Sequence, residues 1–242
     1  GMDGLWITPK KYTGNRVILY LHGGGYSIGS INSHKELAAR LAKFAKAKIL
    51  LIDYRMAPEH PYPAALDDAK LGYKWLLDNG HNAKDICIAG DSAGGGLTLA
   101  TAIALRDEGA ELPACLCTFS PWTDVAMTGE TMKESTDDPM LNMTWIKQMA
   151  DGYSQGSDLR SPTMSPLYDS YSGLPPMLIH VGSDELLLSD STRFAEQAKA
   201  AGVDVTLEVW PDMWHVWHEC VGIVPESKKA LSDAGYYIQT KV

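Results

Sequence analysis

Gly90-Asp91-Ser92-Ala93-Gly94 is a G-x-S-x-G stretch, set between an apolar run and a helix-like run. On a tight strand-to-helix turn such a serine is presented at the strand end, with flanking glycines relieving the crowding. A serine hydroxyl in that place is a nucleophile if a base can take its proton and a carboxylate orients the base. His22-Gly23-Gly24-Gly25 follows a second apolar run. It lacks the lysine of a phosphate loop, and its bare N–H groups suit a developing oxyanion. The N–H of Ala93, next after the serine, would be the partner donor. His22 reads as a structural residue that orients this loop.

Seven histidines compete for the base. The order serine, acid, histidine goes with this kind of elbow, leaving His180, His215 and His218. His180 lies inside an apolar run. His215 falls just past the last strand-like run and is the better placed, with His218 the fallback. Asp184 is the first carboxylate past the preceding run and is the expected acid, with Glu185 and Asp190 as neighbouring alternatives. His215, His218 and Glu219 do not form a zinc-protease spacing, so no metal is expected. Tyr26, Trp122, Met213, Trp214 and Val216 flank these motifs and are the candidate pocket walls, apolar enough for an acyl chain.

Elements must bring these residues together. Arg16–Leu21, Lys48–Tyr54, Ile86–Gly90, Ala114–Ser120, Pro176–Gly182 and Asp204–Trp210 are short and almost continuously apolar. Strands of that kind are buried on both faces, as in a parallel sheet between helices. Helical spacing over Ser33–Lys46, Pro63–Leu77, Ser92–Arg106, Ser191–Ala201 and Pro225–Thr240 completes a strand–helix alternation, hence an α/β fold. Ser33 to Glu36 has the form of a capping box. The segment 121–173 holds no good strand and one helical stretch near Met140–Tyr153. It is too long for a plain connection and reads as an insert over the sheet end, a cap within a single domain of 1–242. The proline-rich run from Asp53 to Pro63 reads as a rigid scaffold beside the glycine loop.

The 242 residues are 45% hydrophobic and 21% charged, with net charge −9. That is globular composition. The acidic balance argues against nucleic-acid partners, which require excess Lys and Arg. The start of the chain lacks the apolar core of a signal peptide, and no run approaches the length of a membrane span. Cys87, Cys115 and Cys117 sit in apolar runs and read as small buried hydrophobes, which with the missing signal points to the cytoplasm. Gly1-Met2 reads as an expression remnant. Asn142-Met143-Thr144 matches a glycosylation sequon without an export signal.

HGGG, then Asp53-Tyr54-Arg55-x-Ala57-Pro58-Glu59-His60-Pro61, then GDSAGG, then Ser120-Pro121-Trp122, resemble the hormone-sensitive-lipase-like carboxylesterases, the bacterial family IV esterases of GDSAG type. The resemblance runs from Arg16 to the C-terminus. It implies the α/β-hydrolase fold, a Ser92–His215–Asp184 triad, oxyanion donors among Gly23, Gly24, Gly25 and Ala93, and ester hydrolysis without a cofactor on small short-to-medium acyl esters. It also implies a homodimer through the last edge strand. Only 15 residues precede Arg16, a shorter lead-in than the resemblance implies. An amidase, formamidase or lactonase on the same residues, or a truncated non-catalytic ligand-binding form, are the alternatives.

Overall fold

The computed structural model describes residues 2–12, 14–132 and 138–242. Gly1 and the 133–137 part of the 121–173 insert lie outside the described residues. The strands are β1 (Asp3–Ile7), β2 (Val17–Leu21), β3 (Lys48–Asp53), β4 (Ile86–Asp91), β5 (Cys115–Phe119), β6 (Met177–Gly182) and β7 (Val205–Trp210). The helices are α1 (Ile31–Ala45), α2 (Ala64–Asp78), α3 (Ser92–Asp107), α4 (Met143–Ser154), α5 (Leu188–Ala200) and α6 (Pro225–Lys241). The strands form one sheet in the order β1-β3-β2-β4-β5-β6-β7. β1 pairs antiparallel with β3, and every other pairing is parallel.

Period-2 side-chain alternation splits the core into two layers. Val17, Leu19 and Leu21 of β2 join residues of α2 and α3 on one face. Ile18 and Tyr20 join residues of α1 and α6 on the other. Because the six inner and outer strands from β2 to β7 run parallel, their C-terminal ends share one edge. There the loops after β2, β4, β5, β6 and β7 meet.

The capping of α1 differs from expectation. Ser30 is the N-cap, its hydroxyl accepting from Ser33 N while Ser33 Oγ accepts from Ser30 N. Glu36 instead pairs with Arg40 one turn on, at 2.6 Å. The box therefore starts three residues earlier than the Ser33–Glu36 pattern implies. Asn142 of the sequon is the N-cap of α4, its Oδ1 accepting from Trp145 N at 3.0 Å.

The insert is tied down at both ends of its path. Tyr153 of α4 stacks on Tyr26 of the glycine loop at 3.7 Å between ring centres. Tyr62 N donates to Tyr153 O, and Gln155 Nε2 donates to Pro58 O, both at 2.8 Å. At the β5 end, Asp190 Oδ2 accepts from Thr123 N at 2.9 Å and Asp124 N at 2.8 Å. Asp190 is fully buried, and burial together with the nearby Asp124 pushes its carboxyl well above the usual range. Its work is thus to fix the chain leaving β5. Asp190→Ala orphans two buried N–H groups, each worth about 1–3 kcal/mol. A thermal melt is expected to fall by roughly 5–10 °C; an unchanged Tm would remove that tether from the account.

Candidate active site

Ser92 opens α3 immediately beyond β4 and has φ 53°. A non-glycine residue there stores strain that its surroundings must hold. The surroundings are tight. A Cβ on Gly94 would overlap the carbonyl oxygens of Leu21 and His22, and one on Gly90 would overlap Gly94 O and Leu21 O. Glycine at both positions lets α3 start against the ends of β2 and β4. The elbow thereby turns the Ser92 hydroxyl outward from the sheet end.

Of the three later histidines, His215 is the one at the serine. Its Nε2 lies 2.9 Å from Ser92 Oγ. His180 and His218 are fully buried behind it, with His180 Nδ1 3.2 Å from His218 Nε2. Burial and the neighbouring imidazoles push His218 well below the usual range.

The carboxylate that faces the His215 ring is Glu185, one residue beyond the expected Asp184. Asp184 is exposed, and its carboxylate accepts from Ser183 Oγ at 2.6 Å. Its main-chain N–H donates to Met213 O, so the residue tethers the base loop by its backbone. Glu185, one residue on, points inward and is fully buried. Its Oε2 accepts from Ser120 Oγ at 2.8 Å and from Gly182 N at 3.1 Å. Its Oε1 faces His215 Nδ1 at 3.7 Å. Among the described residues neither Oε1 nor Nδ1 has a hydrogen-bond partner, so two buried polar atoms are left facing each other. Ser120, from the Ser-Pro-Trp motif, also accepts from Val216 N at 3.1 Å, so one hydroxyl links acid and base loop.

The glycine loop sits across from this pair. Gly24 and Gly25 line the same cavity as Ser92 and His215. Gly23 is not among the residues lining that cavity, and its N lies 3.3 Å from His34 Nε2. His22 is buried and stacked on Tyr54 at 4.3 Å, its Nδ1 2.8 Å from Gly23 O. Tyr54 OH donates to His22 O at 2.6 Å, and Ala57 N to Tyr26 O at 2.7 Å. The proline-rich segment thus holds the loop from below. Arg55 of that segment pairs with Asp68 of α2.

The cavity measures about 340 Å³. Trp122 and Val216 line it as expected. Tyr26, Met213 and Trp214 do not. Tyr26 lies beneath the loop in the core, and Met213 and Trp214 pack with Trp217 behind the base. Adjacent residues on a turn point opposite ways, so closeness in sequence to a motif does not give a wall position. The larger apolar wall comes from the insert: Met140, Leu141, Trp145, Ile146 and Met149, with Leu187 from the start of α5. Met149 lies directly on Gly25. The signal was the apolar i, i+4 stripe through Leu141, Trp145, Met149 and Tyr153, with Trp145 left 54% exposed, more than a core stripe requires.

Comparison with known proteins matches this geometry to relatives. The sequence profile described as alpha/beta hydrolase fold matches residues 18–219. An acetyl-hydrolase of Streptomyces hygroscopicus is 42% identical over 236 residues, spanning 97% of this chain and 79% of the relative. Among solved structures, the esterase EstE5 soaked with p-nitrophenyl butyrate superposes with TM-score 0.97 at 44% identity, covering 100% of this chain and 82% of that one. An esterase from the bacterial hormone-sensitive lipase family gives TM-score 0.97 at 42% identity over the same shares.

Glu185 and Asp184 can be told apart directly. Glu185→Gln is expected to lower kcat by about 10²–10⁴-fold, by analogy with removal of a triad carboxylate's charge. Asp184→Asn should stay within about twofold, since its side chain faces water. The reverse ranking in steady-state ester hydrolysis would return the role to Asp184.

Proposed function

The chain belongs to the alpha/beta-hydrolase fold family, among its hormone-sensitive-lipase-like carboxylesterases, and we propose that it cleaves short-to-medium acyl esters through an acyl-enzyme on Ser92. The observation that carries this reading is the contact of Ser92 Oγ with His215 Nε2 at 2.9 Å, backed by a buried carboxylate on the far side of the ring.

With His215 Nε2 bare toward Ser92, the ring proton sits on Nδ1 and faces Glu185 Oε1. Ser92 Oγ attacks the ester carbonyl carbon as its proton passes to His215 Nε2. The imidazolium formed is stabilised by Glu185, which stays ionised and keeps the ring in this tautomer. The carbonyl oxygen becomes an oxyanion, met by N–H groups of Gly24, Gly25 and Ala93. Loss of one such donor typically costs about 3 kcal/mol of transition-state stabilisation. His215 then gives its proton to the departing alcohol oxygen, and the C–O bond breaks. Water, deprotonated by the same imidazole, attacks the acyl-serine and releases the carboxylic acid, with the proton returned to Ser92.

The apolar wall from α4 and Trp122 fits an acyl chain of modest length in about 340 Å³. The 121–173 insert serves as the cap that supplies this wall. No helix among the described residues is long and apolar enough to cross a membrane. β7 is one of the two edge strands of the sheet, β1 being the other; Val209 is exposed along β7, and two copies could join there into a continuous sheet. A cytoplasmic setting fits four unpaired cysteines.

The test is hydrolysis of p-nitrophenyl esters from acetate to decanoate, with Ser92→Ala as control. Turnover is expected to peak at short to middle chains and to vanish in Ser92→Ala while its thermal melt is retained. Turnover that persists without the Ser92 hydroxyl would overturn the reading.

A further inference from the structure

One imidazole outside the proposed triad touches all three segments that carry the chemistry. His34, on the first turn of α1, is buried and lines the cavity. Its Nε2 lies 3.3 Å from Gly23 N of the oxyanion loop and 3.3 Å from Asp91 Oδ2, the residue before the nucleophile. It also lies 3.6 Å from Glu219 Oε1, four residues beyond the base. Resting on the proposed role of Ser92 and His215, we propose that His34 is a positioning residue, an ionised clamp between Asp91 of the nucleophile elbow and Glu219 of the base loop that holds the two in one arrangement.

The two carboxylates at Nε2 favour the charged ring. Ser33 Oγ lies 2.9 Å from Ser30 O and 2.8 Å from His34 Nδ1, and with its own proton on Ser30 O it accepts one from Nδ1. A bare Nε2 would take the Gly23 N–H but set its lone pair against two carboxylates, whereas a protonated Nε2 donates to Asp91 Oδ2 with Glu219 Oε1 close by. Tyr20 OH donates to the other Asp91 oxygen at 2.8 Å, so Asp91 can turn only one oxygen to the ring. The remaining titratable neighbour is His22, whose ring centre is 5.3 Å away; burial pushes it down, toward the neutral form. For His34, burial opposes the charge, but Asp91 and Glu219 overcome it and bring the ring up to about 9. Burial likewise opposes ionisation of Asp91, and His34 with Tyr20 reverses this, holding the carboxyl below its usual range.

Loss of the proton has a definite consequence. The bare Nε2 can then only accept, from Gly23 N–H, and lets go of Asp91. Asp91 and Glu219 are left as neighbouring anions with no cation between them, and burial with the Asp91 charge already pushes the Glu219 carboxyl up. The elbow and the base loop are then driven apart. A displacement of even an ångström at the reacting atoms can cost about 10²-fold in rate. Because the clamp is intact below its folded pKa and lost above it, kcat must fall as pH rises through about 9.

The experiment is the pH profile of kcat and KM for p-nitrophenyl butyrate, pH 6 to 10.5, in wild type, Glu219→Gln and His34→Gln, with Ser92→Ala as the control for the triad itself. The wild type is expected to show a one-proton alkaline fall in kcat near pH 9. Glu219→Gln removes one carboxylate and should move that fall down by roughly one pH unit. His34→Gln should lower kcat roughly ten- to a hundredfold, leave KM within about twofold, and lose the alkaline fall. A wild-type profile flat to pH 10.5, a fall unmoved in Glu219→Gln, or wild-type kcat in His34→Gln would each overturn the clamp while leaving Ser92-dependent turnover in place. If His34→Gln does not fold, the Glu219→Gln shift decides alone.

Discussion

A carboxylate without water must have its charge met by the protein, and the arrangement of this site follows from that need at Glu185. The residue is fully buried, where an ion costs several kcal/mol unless hydrogen-bonded and paired. Its two oxygens are served by different parts of the chain. Oε2 takes the Ser120 hydroxyl after β5 and the Gly182 N–H at the end of β6, while Oε1 is left for His215. Three strand ends are thus held in register by one side chain. The chain after β5 must turn sharply to bring Ser120 there, and Ser120 does so with φ 48°.

That is one of a set of costly backbone positions around the reaction centre. Ser92 has φ 53° and Val216, next to the base, has φ 51°. For a β-branched residue this region is a clear outlier. Each is held by a hydrogen bond made to or beside it: Trp122 N donates to Ser92 O at 2.9 Å, and Val216 N donates to Ser120 Oγ. The strain at Ser92, Ser120 and Val216 lies around the Ser92–His215 contact, and the all-buried strands below supply the rigidity that maintains it.

The sheet was legible because its strands are buried on both faces and read as short apolar runs; six runs between Arg16 and Trp210 became β2 to β7 with ends shifted by no more than one residue. β1, half exposed and antiparallel, lacks the continuous apolar run that marks the other strands. The elbow and the glycine loop were legible because glycine is required there by contact with backbone. The carboxylate proposed here as the acid lies one residue past the expected Asp184, since chain order picks the strand end but not which of two adjacent carboxylates faces inward. Glu185 is followed by Leu186 and Leu187, both buried, and Asp184 follows Ser183 on a turn; that contrast was in the sequence but was outweighed by proximity to the strand. The cavity walls from α4 were not legible. They depend on how the insert lies back over the sheet, and a stripe of apolar residues says that a face is covered without saying by what.

The separation of the two walls carries a meaning of its own. The proposed reacting groups come from the sheet edge and are joined through Ser120 and Glu185. The apolar wall comes from α4, which reaches the body through the stacked Tyr26 and Tyr153, one main-chain hydrogen bond from Tyr62 to Tyr153, and one from the Gln155 side chain to Pro58 O. Residues such as Trp145 and Ile146 can therefore drift, and the size of the acyl slot with them, without disturbing the chemical apparatus. The molecule is modular in the evolutionary sense: taste can be revised while reactivity is inherited. Met149 marks the boundary of that freedom, because it is the wall residue lying against Gly25 of the glycine loop and so belongs to both halves at once.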